Sequence, residues 1–132
     1  MATQFYHEDK PHIWISIQSP GDPLPKFEDN PNRLAILFLE FADIDVPRDG
    51  YKIFDEGMAL DVLEFVEEYK NQIDVIYCQC QGGISRSAGM AEALYDISND
   101  NNKEIIGLTF MANRKVYRTI INTYEKSLPN IN

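Results

Sequence analysis

Cys80 and Arg86 stand six residues apart, with Gly82 and Gly83 between them and Ser87 directly after the arginine. The run before the cysteine, Val75-Ile76-Tyr77-Cys78-Gln79-Cys80, is β-rich. The run after it, 86–98, carries Met90, Ala93, Leu94 and Ile97 as an apolar stripe at helical spacing. A strand, a glycine-bearing turn (Gln81-Gly82-Gly83-Ile84-Ser85) and a helix start together form an anion site by backbone geometry. The unpaired N–H groups of a helix N-terminus point outward, and its aligned peptide dipoles favour negative charge there. Cys80 takes the last strand position, beneath that cradle. A helix N-terminus and a nearby cation favour thiolate over thiol. Arg86 supplies the cation as a planar fork able to hold two oxygens of a phosphate, and Ser87 sets a hydroxyl near the sulfur. Such a set suits nucleophilic attack on a phosphorus atom held by its equatorial oxygens.

The elements that must position these groups can be read along the chain. His12-Ile13-Trp14-Ile15-Ser16-Ile17 is β-rich and reads as a strand, with Trp14 and Tyr77 as sheet or core residues. Residues 19–32 contain Pro20, Pro23, Pro25 and Pro31, a density that forbids helix and predicts a long loop. Residues 34–41 form a continuous apolar run, the pattern of a buried strand, and the acidic stretch 43–50 follows as a loop. Phe54, Met58, Val62, Phe65, Val66 and Tyr69 recur at helical spacing, with acidic residues on the other faces. Polar residues break the chain at 99–103, and Phe110, Val116, Tyr117, Ile120, Ile121 and Tyr124 mark a last helix. Strands alternating with helices imply an α/β fold: a compact single domain, 1–132, with a short, mostly parallel central sheet flanked by helices. Ligand crevices in such sheets lie at the carboxyl ends of strands, which is where Cys80 falls.

Composition narrows the function further. With 132 residues, 44% hydrophobic and 25% charged, the chain matches one soluble globular domain able to bury a core without staples. No apolar run approaches the roughly 20 residues of a membrane span, and the first ten residues hold no apolar segment of a signal peptide, so a cytoplasmic protein is expected. The net charge of −9 disfavours nucleic acid, and no membrane partner is expected. Residues 103–132 carry a local excess of basic groups, which reads as a solvated helix face. Cys78 and Cys80 lie two apart on one strand, poor geometry for a bridge, so Cys78 reads as core packing. A zinc site built from these cysteines with His7 and His12 has too little ligand patterning to argue for.

The run Cys80-Gln81-Gly82-Gly83-Ile84-Ser85-Arg86-Ser87 resembles the cysteine, five residues, arginine, serine signature of the cysteine-dependent protein tyrosine phosphatases. The placement of Gly83 and of Ser85-Arg86-Ser87 is most similar to the small dual-specificity-like subgroup, and the order of elements extends the resemblance over 12–125. The resemblance implies a protein tyrosine phosphatase-like fold and a two-step transfer through a phosphocysteine. Gln81, Gly82, Gly83, Ile84, Ser85 and Arg86 would then bind phosphate, with Cys80, Arg86 and Ser87 at the reacting centre and neither metal nor other cofactor. It also implies an upstream aspartate that protonates the leaving oxygen and then helps activate water. The stretch Phe41-Ala42-Asp43-Ile44-Asp45-Val46-Pro47 stands where that acid loop falls. Asp43 fits by its spacing from Phe41 and the proline; Asp45 stays open, because alternate positions at a strand end face the same way, and Asp49 is third. The plainer reading of all three is a set of solvated loop carboxylates. Asn113, near the start of the last helix, is a candidate brace for the active loop, with a simple helix-start role as the alternative.

One position departs from the family. Its members carry histidine directly before the cysteine, and here Gln79 stands there, an amide without charge. The expected consequence is a less activated thiol or a loop held differently. A phosphate-binding module without turnover is therefore one competing function. Rhodanese-type sulfur transfer is another, but its arginine usually sits one residue nearer the cysteine. Low-molecular-weight phosphatases and arsenate reductases place their loop after the first strand, unlike residue 80. The absence of lysine from 81–85 and the acidic surface favour phosphorylated protein or peptide over lipid or RNA, with phosphotyrosine first and phosphoserine or phosphothreonine next. A monomer is expected.

Overall fold

Apart from His12, the segment His12–Gln18 has no ionisable side chain; it forms β1, and all seven of its residues are buried. The computed structural model describes residues 9–44, 46, 48–81, 85–98, 103–107 and 112–127. After β1 come β2 (Arg33–Glu40), α1 (Glu56–Tyr69), β3 (Val75–Cys80), α2 (Ser85–Ile97), β4 (Glu104–Ile106) and α3 (Arg114–Ser127). Among the described residues the strands make one sheet in the order β2-β1-β3-β4, with every neighbouring pair parallel. The α/β class expected from the sequence is the one observed, and the sheet is parallel throughout.

Alternation along the strands divides the core in two. Ile13, Ile15 and Ile17 of β1 and Ile76, Cys78 and Cys80 of β3 face α1, α2 and α3 through Ala59, Val62, Met90, Leu94, Val116 and Ile120. Each of the larger of these side chains contributes about 1.5–3 kcal/mol by leaving water. On the opposite face Trp14 stacks on Tyr77 with ring centroids 4.5 Å apart, and Phe27 covers Trp14 edge-on at 5.3 Å. Phe27 belongs to the proline-rich loop, so the crossover from β1 to β2 carries no helix. The helical flanking of the sheet is one-sided among the described residues.

Some expectations need correction. The apolar run read as a buried strand is β2, but it lies at the sheet edge; its residues are mostly half-buried and Phe38 is 37% exposed. Hydrophobicity reports an apolar surface to cover, not how many strands flank it. Phe54 lies ahead of α1, which is capped by Asp55: its carboxylate accepts from Met58 N–H at 2.9 Å. The acidic face of α1 is exposed as expected. β4 was not anticipated, since three residues are too few to show a period. Phe110 lies outside the described residues, and α3 begins at Arg114. Among the described residues no helix is long and apolar enough to cross a membrane.

Candidate active site

Because the strands are parallel, their carboxyl ends share one edge of the sheet. Ser19 follows β1 there, Phe41 to Asp43 follow β2, and Cys80 ends β3 in register with Ile17. Two backbone bonds extend the ladder past the strands, from Phe41 N–H to Gln18 O at 3.1 Å and from Gln81 N–H to Ile17 O at 2.9 Å.

Arg86, in the first turn of α2, is 4% exposed and turned into this edge. Its Nη1 donates to the Phe41 carbonyl at 2.8 Å and to Ser19 Oγ at 3.1 Å; its Nη2 donates to the Gln81 carbonyl at 2.8 Å. All three acceptors are neutral. Among the described residues no carboxylate pairs with the guanidinium, and its buried Nε has no hydrogen-bond partner. Burying a charge without a counter-ion is costly unless a ligand supplies the opposite charge. A guanidinium so placed can take an anion as its counter-ion.

Cys80 and Ser87 are both buried, with Sγ and Oγ 3.3 Å apart. A hydroxyl at that distance can accept from the thiol or donate to a thiolate. Cys78, on the same face of β3 but deeper, is buried; burial pushes its thiol well up, and the neighbouring Cys80 adds to the shift. It stays protonated and packs, as its sequence position suggested. Gln79 points to the other face, where its Nε2 donates to Ser16 Oγ at 3.4 Å across the strand pair.

Asp43 is exposed, and its Oδ1 accepts from Asn113 Nδ2 at 2.7 Å. Asn113 lies just before α3 and also donates from its backbone N–H to the Ser85 carbonyl at 2.8 Å, at the start of α2. The chain after β2, the start of α2 and the start of α3 thus meet through one asparagine. Asn113 also accepts from Val116 N–H at 3.0 Å, the helix-start role read in the sequence, and its link to Asp43 had no sequence signal beyond its position. Ser19 and the Phe41 carbonyl were missed altogether, although Ser19 stands at a strand end, where ligand sites form.

Other candidates fall differently. Asp45, Gly82, Gly83 and Ile84 lie outside the described residues. Asp49 is exposed. Gln81 has both backbone groups in use, its N–H on Ile17 and its carbonyl on Arg86, so its amide is not a free donor for phosphate. Ser85 is half-buried at the helix start.

Comparisons with family models, with curated proteins and with solved structures returned no match. What the arrangement can do chemically therefore rests on its own parts. A buried thiol, a buried cation held by neutral acceptors and a carboxylate fixed by an amide converge on one sheet edge.

Proposed function

We propose that the protein hydrolyses phosphate monoesters on proteins, phosphotyrosine first and phosphoserine or phosphothreonine next, through a phosphocysteine intermediate. The observation that carries this reading is Arg86: a buried guanidinium without a carboxylate partner among the described residues, its Nε open, in the first turn of the helix that follows Cys80. The parallel α/β arrangement, with the loop at the carboxyl end of β3, supports the protein tyrosine phosphatase-like fold implied by the signature.

In the first step Cys80 Sγ attacks phosphorus. The S–P bond forms while the P–O bond to the leaving group breaks, and Asp43 gives its proton to the departing oxygen. In the second step water attacks, its proton goes to the Asp43 carboxylate, and the S–P bond breaks to release inorganic phosphate and the thiolate. Arg86 holds the equatorial oxygens and gains in strength as their charge develops. Ser87 stabilises the thiolate as leaving group through its 3.3 Å contact. No step calls for a metal.

The test is hydrolysis of p-nitrophenyl phosphate by wild type and Cys80→Ser, with EDTA and orthovanadate added in separate reactions. Vanadate-sensitive, EDTA-insensitive turnover that vanishes in the variant is expected. An inert wild type that still binds vanadate would instead make the protein a phosphate-recognition module.

A further inference from the structure

The residue before α3 bonds to three separate segments. Asn113 Oδ1 accepts from Val116 N–H at 3.0 Å and so caps α3. Its backbone N–H holds the Ser85 carbonyl, and its Nδ2 holds Asp43 Oδ1 at 2.7 Å. The cap settles which way the amide is turned: Val116 N–H needs an acceptor, so the oxygen is committed there and the donor must face Asp43. Asn113 is buried, whereas Asp43 sits in an exposed loop. The buried asparagine, tied by its Oδ1 to Val116 and by its backbone N–H to Ser85, therefore fixes the exposed side chain, not the reverse.

Nothing but hydrogen could be at Gly89 if α3 is to approach this closely. A Cβ there would lie 2.5 Å from the Asn113 carbonyl oxygen and 3.3 Å from its nitrogen. The helix pair is thus cut to bring Asn113 over the start of α2.

We infer that Asn113 is the positioning residue for proton transfer at this site. This rests on the phosphatase reading above. An N–H donor directed at Asp43 Oδ1 keeps the carboxyl proton off that oxygen and leaves Oδ2 to carry it. In the first step the Oδ2 proton passes to the leaving oxygen as the P–O bond breaks. In the second, Oδ2 receives a proton from the attacking water as the S–P bond breaks. Asn113 remains neutral and is unchanged by the cycle; it removes the freedom an exposed aspartate would otherwise have.

Leaving-group dependence tests this. Phenyl phosphate needs a proton on its departing oxygen, whereas p-nitrophenyl phosphate hardly does. Asn113→Ser keeps an acceptor for the α3 cap, but its shorter hydroxyl does not reach Asp43. It should lose about 30-fold or more in kcat/KM, which reports the steps through P–O cleavage, with phenyl phosphate and about threefold or less with p-nitrophenyl phosphate, within the range general acids supply. Combined with Asp43→Asn it should cost little further, since both act on one proton. Asn113→Asp, a strong cap that replaces the donor with a second carboxylate, is the companion variant if the serine variant fails to fold, and it should show the same pattern. Equal losses with both esters, or losses that add to those of Asp43→Asn, overturn the inference alone. A wild type inert toward both esters removes the phosphatase reading, and the inference with it.

Discussion

Arg86 Nη1 donates at 2.8 Å to the carbonyl of Phe41, a residue 45 positions earlier that is itself fully buried. The bond ties the first turn of α2 to the chain leaving β2, just ahead of Asp43. The cation that would hold phosphate and the chain that leads into Asp43 are therefore one bonded unit.

Arg86→Lys should break that unit. An ammonium has no planar fork and cannot satisfy the Phe41 and Gln81 carbonyls while also facing a ligand. The expected loss in kcat/KM is about 100-fold or more, comparable to removing an oxyanion donor. Stability should fall by about 1–3 kcal/mol from the acceptor left unpaired. Steady-state kinetics and urea denaturation measure the two; near-normal turnover would show that the fork is not needed.

Gln79→Ala should matter little. The amide faces Ser16, on the side of β3 away from the sulfur, and a 3.4 Å bond is weak. Turnover should stay within about threefold of wild type, a barrier change of ~0.7 kcal/mol. A collapse in rate would show that Gln79 orders the cysteine loop in the way the family's histidine does.

Alkaline pH should destabilise the fold through Cys78. Burial raises its thiol in the folded state above the ordinary value of 9.0. The stability this group contributes is thus fully present below that ordinary value. It is lost as pH rises past it, where only the unfolded chain ionises, by up to about 1.4 kcal/mol per pH unit. Urea midpoints should fall less steeply across this range in Cys78→Ala than in wild type. Tyr117, raised by its hydrogen bond to Asp96, is present in both proteins and cancels from the comparison. Parallel pH curves would refute the assignment.

Gly89→Ala sets two effects against each other. Alanine in a helix interior gains about 1 kcal/mol over glycine. Here its methyl carbon would meet Asn113 backbone and Val116 Cβ at 3.2 Å, and overpacking costs about 1–3 kcal/mol. The clash should win, because its nearest atom is backbone and cannot swing aside. Net destabilisation in urea is expected, together with slower turnover of phenyl phosphate as Asn113 is pushed from Asp43. A more stable protein would mean that α3 gives way freely.

Much of this frame is legible in the residues. The periods of 12–17 and 75–80 gave strands and the stripe at Met90, Ala93, Leu94 and Ile97 gave α2, while the glycine turn expected at 82–84 lies outside the described residues. Those are local signals. What stayed hidden is long-range: that Ser19 reaches Arg86 across 67 positions, and that Asn113 reaches Asp43 across 70. No period encodes such pairings; they follow from the strand order. The edge position of β2 was illegible for the same reason, as was β4, too short to carry any pattern.

That strand order also has a consequence for how the chain is made. β1 is the hub of the sheet, yet its second partner, β3, ends only at Cys80. Domains emerge from the ribosome N-terminus first, at about 5–20 residues per second. For several seconds the uncharged stretch Ile13–Gln18 must wait with one side unpaired, the kind of segment that sticks to other nascent chains. A strand that carries the site between two partners is thus also one whose edge stays open until β3 has been made.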